Sequence, residues 1–176
     1  MELTRNPEWH IPRSWFHHDG VAAECKADLV HITNAAECAL HLALVNEVFI
    51  DNSDIPLIAH QTSRSADPST WSSLVRNCVA RWLEAATGCN GFSGVKMAWF
   101  MWDDDGVDSL VHEYEPSFVP AFSAVPYPVE KADIFRVLVL KWFGGVVSAY
   151  LDDRIARASY ATILTLCSTA TSIRNH

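Results

Sequence analysis

Charged side chains stand at two places in the second half of the chain where they could do chemistry. Asp133 and Arg136 lie one helical turn apart in a stretch that is otherwise mostly apolar, and Asp152 and Asp153 follow a short apolar run after a glycine pair. Carboxylate oxygens suit Mg²⁺ or Mn²⁺, which keep open positions for substrate phosphates. A metal ion there would neutralise a diphosphate leaving group. A carboxylate pair after a strand is more often a solvated turn, so the metal site is one of two interpretations.

Two roles are also open for Asp133 and Arg136. On an exposed helix they would form an intrahelical ion pair worth roughly 0.2–0.5 kcal/mol. The residues from Ile134 to Phe143 are nearly all apolar, however, and a helix that is apolar all round is expected to be buried. Charges on a buried helix need partners, and the hydroxyl or phosphate groups of a ligand are candidates.

The elements that must position these residues are predicted to alternate between strands and helices. Strands are expected over Ile55–His60 and Val95–Trp102, and a third short one begins at Val146. This order predicts an α/β fold with a mainly parallel sheet and flanking helices. Ligands of such sheets bind beyond the carboxyl ends of the strands. We therefore expect three polar clusters to converge on one edge: His60-Gln61-Thr62, Asp103-Asp104 and Asp152-Asp153.

The helix boundaries follow from capping residues and from proline and glycine. The first predicted helix covers Ala35–Phe49 and has an Asn34–Glu37 capping box. The second is capped by Asp67, with Pro68 in its first turn and Gly88 after its end. The third is capped by Asp104 or Asp105 and closed by Pro116, and the fourth follows Pro126 and Pro128 and ends at Gly144-Gly145.

Composition narrows the class of protein further. The 176 residues suit one domain, and the net charge of −8 argues against a binder of nucleic-acid backbones. The five cysteines show no C-x-x-C spacing, which favours scattered buried thiols over a disulfide framework. We find no segment with the pattern of a membrane span or a secretory signal, so the chain is expected to be soluble. Motifs of P-loop, serine-hydrolase and zinc-protease sites are missing from the sequence.

Four segments together resemble a known family. They read IPLIAHQT from Ile55, WDD from Trp102, YPVEKADIFR from Tyr127 and GG from Gly144. In order and spacing they are similar to the DXD sugar-transferase family, which includes fungal initiation-specific α-1,6-mannosyltransferases and inositol-phosphoceramide mannosyltransferases. The likeness covers roughly residues 55–153.

The resemblance implies an enzyme that transfers a sugar with retention, most often mannose from GDP-mannose, to a glycan or glycolipid with Mn²⁺ or Mg²⁺. It implies a nucleotide-sugar-binding core of the GT-A type over residues 51–155, in an incomplete version. Residues 1–50 would be an extension without an assigned role, and residues 156–176 a divergent tail rich in Ser and Thr. The family also implies a Golgi or other secretory-pathway location.

The same resemblance implies the roles of individual residues. Asp152 and Asp153 would hold the metal ion. The donor would be bound by seven residues: His60, Gln61, Thr62, Asp133, Arg136, Gly144 and Gly145.

Two departures from the family pattern keep a second hypothesis open. Tyr150 occupies the place of the first metal-binding aspartate, and the chain changes character after Arg154. The alternative is thus a truncated or degenerate relative that has lost catalysis and acts as a binding or partner protein.

Overall fold

A computed structural model describes residues 8–17, 25, 29–73, 75–77, 79–80 and 97–148 of the chain. Its framework is a four-stranded sheet with the order β1-β3-β2-β4. The strands are β1 (Trp9–His10), β2 (Ile58–Thr62), β3 (Ala98–Trp102) and β4 (Val146–Ser148). The two inner strands come from apolar runs and are buried almost throughout.

The sheet is mainly parallel, as predicted. Strand β2 pairs in parallel with β3 from Ile58↔Ala98 to Thr62↔Trp102, and on its other side in parallel with β4. The short β1 is antiparallel to β3. The expected α/β class, with flanking helices, is confirmed.

Within the described residues, four α-helices and two short 3-10 helices can be given full bounds. The α-helices are α1 (Ile32–Val45), α2 (Asp104–Tyr114), α3 (Val119–Ser123) and α4 (Pro128–Phe143), and the 3-10 helices span Arg13–His17 and Pro68–Thr70. The larger core contains buried residues of all four α-helices together with Ile58, Phe100 and Trp102, whereas Ala59, Trp99 and Met101 face a smaller core on the opposite side. This division follows from the two-residue period of a strand.

Helix α4 has the predicted boundaries but not the predicted burial. It starts with Pro128 and ends at Gly144, and only Phe135, Val139 and Phe143 are buried along it. These three residues are four apart and so form one stripe toward the core. Val137 is 68% exposed and Leu140 41%. The prediction of a helix buried all round is therefore wrong, because apolar composition does not determine how many faces are covered.

Two helix starts differ from the prediction. Helix α2 is capped by Asp103, whose Oδ1 accepts a hydrogen bond from the Gly106 amide at 2.9 Å, and not by Asp104 or Asp105. Asp103 has the extended backbone that a capping residue needs, whereas its two neighbours already lie inside the first turn. Helix α1 starts at Ile32 after His31, without a side-chain cap.

The predicted Asn34–Glu37 capping box is therefore wrong, since both residues lie inside α1. The helix also ends at Val45 and not at Phe49. Asn46 donates its side-chain amide to the carbonyl of Leu42 at 2.7 Å. Phe49 already forms an antiparallel bridge with Pro56.

The element after β2 begins later than predicted. Asp67 is a cap, as expected, but of the 3-10 helix Pro68–Thr70, where its carboxylate accepts from the Ser69 amide at 2.9 Å. Trp71 is extended, and α-helical conformation starts at Ser73 among the described residues. Residues 75–77 and 79–80 are helical as well, whereas residues 81–88 of the predicted helix lie outside the described residues, as do Val95 and Lys96.

Cysteine usage also differs from the expectation. Cys25 and Cys38 form a disulfide, with their Cα atoms 5.4 Å apart. The expectation of scattered thiols is wrong for this pair, because the two side chains, separated by twelve residues in the sequence, meet only in three dimensions. Cys78, Cys89 and Cys167 lie outside the described residues.

Part of the first 50 residues contributes to the core. Trp9, Trp15 and α1 are part of the larger cluster, and β1 extends the sheet beyond β3. The predicted tail over 156–176 lies outside the described residues.

Candidate functional site

A cleft of about 850 Å³ opens at the carboxyl ends of β2 and β3. This is the edge at which ligands of parallel α/β sheets bind. The cleft is lined by Thr62, Ser63, Arg64, Val75, Trp102, Asp104, Val107, Asp108, Val125, Pro126, Pro128, Val129, Lys131, Ala132 and Arg136.

Local structure explains why these segments meet. The Ser63 amide donates to the carbonyl of Trp102 at 2.9 Å, which continues the pairing of β2 and β3 to their last residues. The cap at Asp103 then turns the chain into α2, so that Asp104 and Asp108 lie one turn apart on the cleft wall. The predicted convergence is thus confirmed for Thr62 and Asp104.

The side chains that line the cleft include more cations than carboxylates, although Asp133, outside the lining, pairs with one of the cations. Arg64, Lys131 and Arg136 supply three cations against the carboxylates of Asp104 and Asp108, although the whole chain carries a net charge of −8. Burial, together with the nearby carboxylate of Asp103, raises the pKa of Asp104, while Arg64 opposes that shift. The cleft can accept an anionic group.

Sequence reasoning missed Arg64 and Lys131. Arg64 lies two residues beyond the end of β2, which places it at the ligand-binding edge of a parallel sheet. Lys131 is on the first turn of α4, on the side that Pro128 and Ala132 share. Its ammonium lies 5.0 Å from the centre of the Phe122 ring, a cation–π contact that holds the side chain beside the cleft.

The Asp133 and Arg136 pair lies at the cleft with unequal exposure. Arg136 Nη1 donates to Asp133 Oδ1 at 2.6 Å, and the side chains are 27% and 61% exposed, respectively. Arg136 lines the cleft. Its Nε is buried and has no hydrogen-bond partner among the described residues. The exposed part of the guanidinium, not this buried nitrogen, is what a ligand's oxygen atoms can reach.

His60 is fully buried and does not line the cleft. The indole Nε1 of Trp102 donates to its Nδ1 at 3.2 Å, and its Nε2 donates to the carbonyl of Gly144 at 3.2 Å. This assignment follows from the network, since an indole nitrogen can only donate. Burial lowers the pKa of His60 to about 3, although the Gly144 carbonyl acts in the opposite direction. The ring is therefore neutral and structural at physiological pH.

The remaining predicted donor residues belong to the framework around the cleft. Gln61 points to the opposite side of the sheet, where its buried Oε1 accepts from Trp99 Nε1 at 2.9 Å. Gly144 and Gly145 have φ of 64° and 78° and form the turn between α4 and β4. Of the seven predicted residues, the structure thus brings Thr62 and Arg136 to the cleft, with Asp133 bound to Arg136. Donor contact by any of them stays a prediction.

The predicted metal ligands Asp152 and Asp153 lie outside the described residues. Within the described ranges no group of three or more His, Cys, Asp or Glu side chains could hold a metal ion. Because β4 is parallel to β2, the chain leaves Ser148 at the same edge as Thr62, four residues before Asp152.

None of the described helices combines the length and the apolar character needed to cross a bilayer.

Comparison with known proteins points to one group of fungal enzymes. Mannosyl phosphorylinositol ceramide synthase CSH1 of Saccharomyces cerevisiae is 27% identical over 99 residues, which make up 56% of this chain and 22% of that protein. Inositol phosphoceramide mannosyltransferase 1 of Schizosaccharomyces pombe is 29% identical over 99 residues, 56% of this chain and 27% of that protein. Inositol phosphoceramide mannosyltransferase 2 of the same yeast is 27% identical over 92 residues, 52% of this chain and 23% of that protein.

The matched segment spans about a quarter of the length of these curated relatives. No protein-family profile and no solved structure matches the chain significantly. The resemblance that the motifs predict is confirmed: over about half of its length, the chain is similar to fungal inositol phosphoceramide mannosyltransferases.

Proposed function

We propose that the cleft binds a nucleotide-sugar donor and that the chain acts as a glycosyltransferase. The observation that carries this proposal is the position of Thr62 and Arg136 in one cleft at the carboxyl edge of a parallel sheet. The similarity to mannosyltransferases supports the same reading. The finer proposal is transfer of mannose from GDP-mannose, with retention, to a glycolipid acceptor of the inositol phosphoceramide type.

The wall of the cleft suits such a donor. Its cations Arg64, Lys131 and Arg136 would attract the diphosphate, and the exposed part of the Arg136 guanidinium would donate to an oxygen of the donor. The hydroxyl of Thr62 and the carboxylate of Asp104 offer partners to sugar hydroxyl groups. The volume of about 850 Å³ is large enough for a nucleotide sugar.

A divalent metal belongs to this proposal as well. Asp152 and Asp153 would hold Mn²⁺ or Mg²⁺, since hard carboxylate oxygens are the ligands these ions prefer. When bound, the ion would supply positive charge to the departing nucleoside diphosphate.

The disulfide supports a secretory-pathway location such as the Golgi. Disulfides persist in oxidising compartments and are rare in the cytosol, and Cys25 is paired with Cys38.

A second candidate function is a non-catalytic relative that binds a nucleotide sugar or a partner protein. The observation that favours it is Tyr150, which stands where the family pattern has its first metal-binding aspartate. The two candidates differ in metal dependence, because a relative that lost the metal site would bind its ligand equally well without the ion.

Thermal unfolding in the presence of ligands tests the proposal. GDP-mannose, GDP, UDP-glucose and UDP are added separately, each with MnCl₂ and with EDTA. We expect GDP-mannose with Mn²⁺ to raise Tm most, since a ligand that binds the folded state stabilises it. A shift that EDTA leaves unchanged would favour the second candidate. No shift with any of the four compounds would contradict donor binding.

Two charge-matched variants of α4 test the site within the same assay. Arg136→Ala removes a cation that lines the cleft, whereas Lys141→Ala removes one that pairs with Glu115 outside it. We expect Arg136→Ala to weaken GDP-mannose binding roughly 10- to 100-fold, the range for a lost charge-assisted hydrogen bond, and Lys141→Ala to leave it nearly unchanged. Asp152→Asn should abolish the Mn²⁺-dependent part of the affinity. Equal effects of the two α4 variants would contradict the assignment of Arg136.

A further inference from the structure

His60 connects three elements through two hydrogen bonds. The residue lies in the centre of β2, receives a hydrogen bond from Trp102 at the end of β3 and gives one to Gly144 at the end of α4. Aromatic rings surround it, with the centroids of Phe100 and Phe143 at 5.6 Å and 6.4 Å. Because the ring is completely buried, neither nitrogen can exchange its protein partner for water.

The turn that His60 contacts has no side chains with which to hold itself. The Gly144 amide closes α4 on the carbonyl of Leu140 at 3.1 Å, and its own carbonyl is the atom that His60 binds. A Cβ on Gly145 would lie 2.3 Å from the carbonyl oxygen of Ile58, so the turn passes directly against the backbone of β2. The His60 imidazole reaches this turn from the sheet and donates a hydrogen bond to it.

The same turn sets the geometry of the cleft wall. Helix α4 carries Lys131 and Arg136, which line the cleft, and β4 leaves the sheet at the cleft edge. Trp102 lines the cleft too, and its ring stacks on Phe143 at the end of α4 with centroids 5.8 Å apart. Displacement of the turn would therefore move α4 relative to the ends of β2 and β3.

We propose that His60 is a positioning residue, whose hydrogen bond to the Gly144 carbonyl fixes the junction of α4 and β4 and thereby the cation-bearing wall of the cleft. The expected effect on ligand affinity rests on the proposed donor-binding function. The effect on the junction does not depend on it.

Two amide substitutions separate the two hydrogen bonds of His60. In His60→Gln the terminal amide nitrogen reaches about as far as Nε2 and can still donate to Gly144. In His60→Asn the shorter side chain can still accept from Trp102 but cannot reach Gly144. Leu42→Val, a buried substitution on α1, serves as the control for a general loss of stability.

Hydrogen exchange of the amides at residues 144–148 measures the local stability of the junction between α4 and β4 and needs no ligand. We expect His60→Asn to accelerate this exchange by about 10-fold or more relative to the wild type, and His60→Gln to restore wild-type exchange. The Leu42→Val variant should leave these amides unaffected once its overall stability is taken into account. Equal exchange in the Asn and Gln variants, or the same acceleration in Leu42→Val, would overturn the proposal.

Calorimetry with GDP-mannose and MnCl₂ measures how the same substitutions change the affinity of the cleft for its proposed ligand. His60→Asn should weaken binding by about 10-fold, which corresponds to the loss of one well-placed contact, and His60→Gln should recover it. Accelerated exchange with unchanged affinity in His60→Asn would overturn the link to the cleft. A wild-type chain that binds no nucleotide sugar would instead overturn the proposed function, and hydrogen exchange would then decide the role of His60.

One measurement on the wild type covers the case in which His60→Asn fails to fold. A long-range ¹⁵N–¹H spectrum of the imidazole should show the proton on Nε2. A proton on Nδ1 would mean that Gly144 receives no hydrogen bond from His60, and the proposal would fail.

Discussion

The guanidinium of Arg136 meets two different environments. One side is bound to Asp133, three residues earlier on the same helix, and the other carries a buried Nε without a partner among the described residues. The ion pair alone would add only about 0.2–0.5 kcal/mol to the stability of the helix. Its larger effect is to fix the orientation of a donor group beside the cleft, which reduces the side-chain entropy that a ligand would otherwise have to remove.

His60 predicts a pH dependence of stability. Its pKa in the folded chain is about 3, below the ordinary value of 6.5, because burial disfavours the charged ring. Above pH 6.5 the folded and unfolded chains both hold a neutral imidazole, so its contribution is complete. As the pH falls from 6.5 toward 3, the unfolded chain takes up a proton that the folded chain does not, and stability is lost.

Urea unfolding at two pH values checks this expectation. From pH 6 to pH 5 the free energy of unfolding should fall by about 1.2 kcal/mol because of His60 alone. His60→Gln cannot titrate and should lack this part of the slope. The same slope in both proteins would show that His60 is not the responsible group.

The sequence shows where the polar residues of β2 lie along the strand, but not which of them faces the cleft. His60, Gln61 and Thr62 follow an apolar run, which predicts their place at the end of a strand. Successive side chains then alternate between faces, so His60 faces the larger core and Gln61 the smaller one. Which side of the sheet lies beside the cleft depends on how the helices pack, and the sequence of these three residues does not indicate that.

At the scale of elements, the glycine pair is the feature on which β4 depends. Both glycines have positive φ, and a Cβ on Gly145 would meet the β2 backbone, whereas one on Gly144 would meet only the side chain of Pro56 at 3.1 Å. A side chain can shift more easily than the central strand of a sheet can.

Alanine substitutions at the two positions should therefore differ in cost. Gly144→Ala should cost about 1–3 kcal/mol, the range for backbone strain alone. Gly145→Ala should cost more and should also disturb the pairing of β4 with β2. Urea unfolding and the amide exchange of Val147 measure the two effects. A Gly145→Ala variant as stable as Gly144→Ala would contradict the close approach to Ile58.

Much of the element order could be predicted, because strong local signals mark it. Apolar runs bounded by polar residues identify β2 and β3, and Pro128 and Gly144 delimit α4. Strand β1 has only two residues and carries no periodic signal. The cap at Asp103 could not be chosen from three successive aspartates, because it is set by the backbone angles of a single residue.

At the scale of the whole molecule, the disulfide joins α1 to the chain that precedes it. Cys25 and Cys38 are thirteen residues apart, and Cys38 lies in the larger core. A cross-link that closes a loop of this size stabilises a domain by about 3 kcal/mol, since it restricts the unfolded chain. Sequence spacing alone did not indicate the pairing.

Reduction of the disulfide gives a measurable loss of stability. We expect dithiothreitol to lower the free energy of urea unfolding by about 3 kcal/mol. A Cys25→Ser/Cys38→Ser variant should show the lower value already and should not respond to the reductant. A wild-type protein that is equally stable with and without dithiothreitol would contradict the cross-link.

Trp102 gives the molecule an optical property that follows from its position. Its indole lines the cleft, donates to His60 and stacks on Phe143, so it lies between the ligand-binding edge and the junction of α4 with β4. Indole emission responds to the charges and dipoles around the ring. The intrinsic fluorescence of the chain therefore contains a reporter of cleft occupancy, and titrations can be followed by emission spectra without a label.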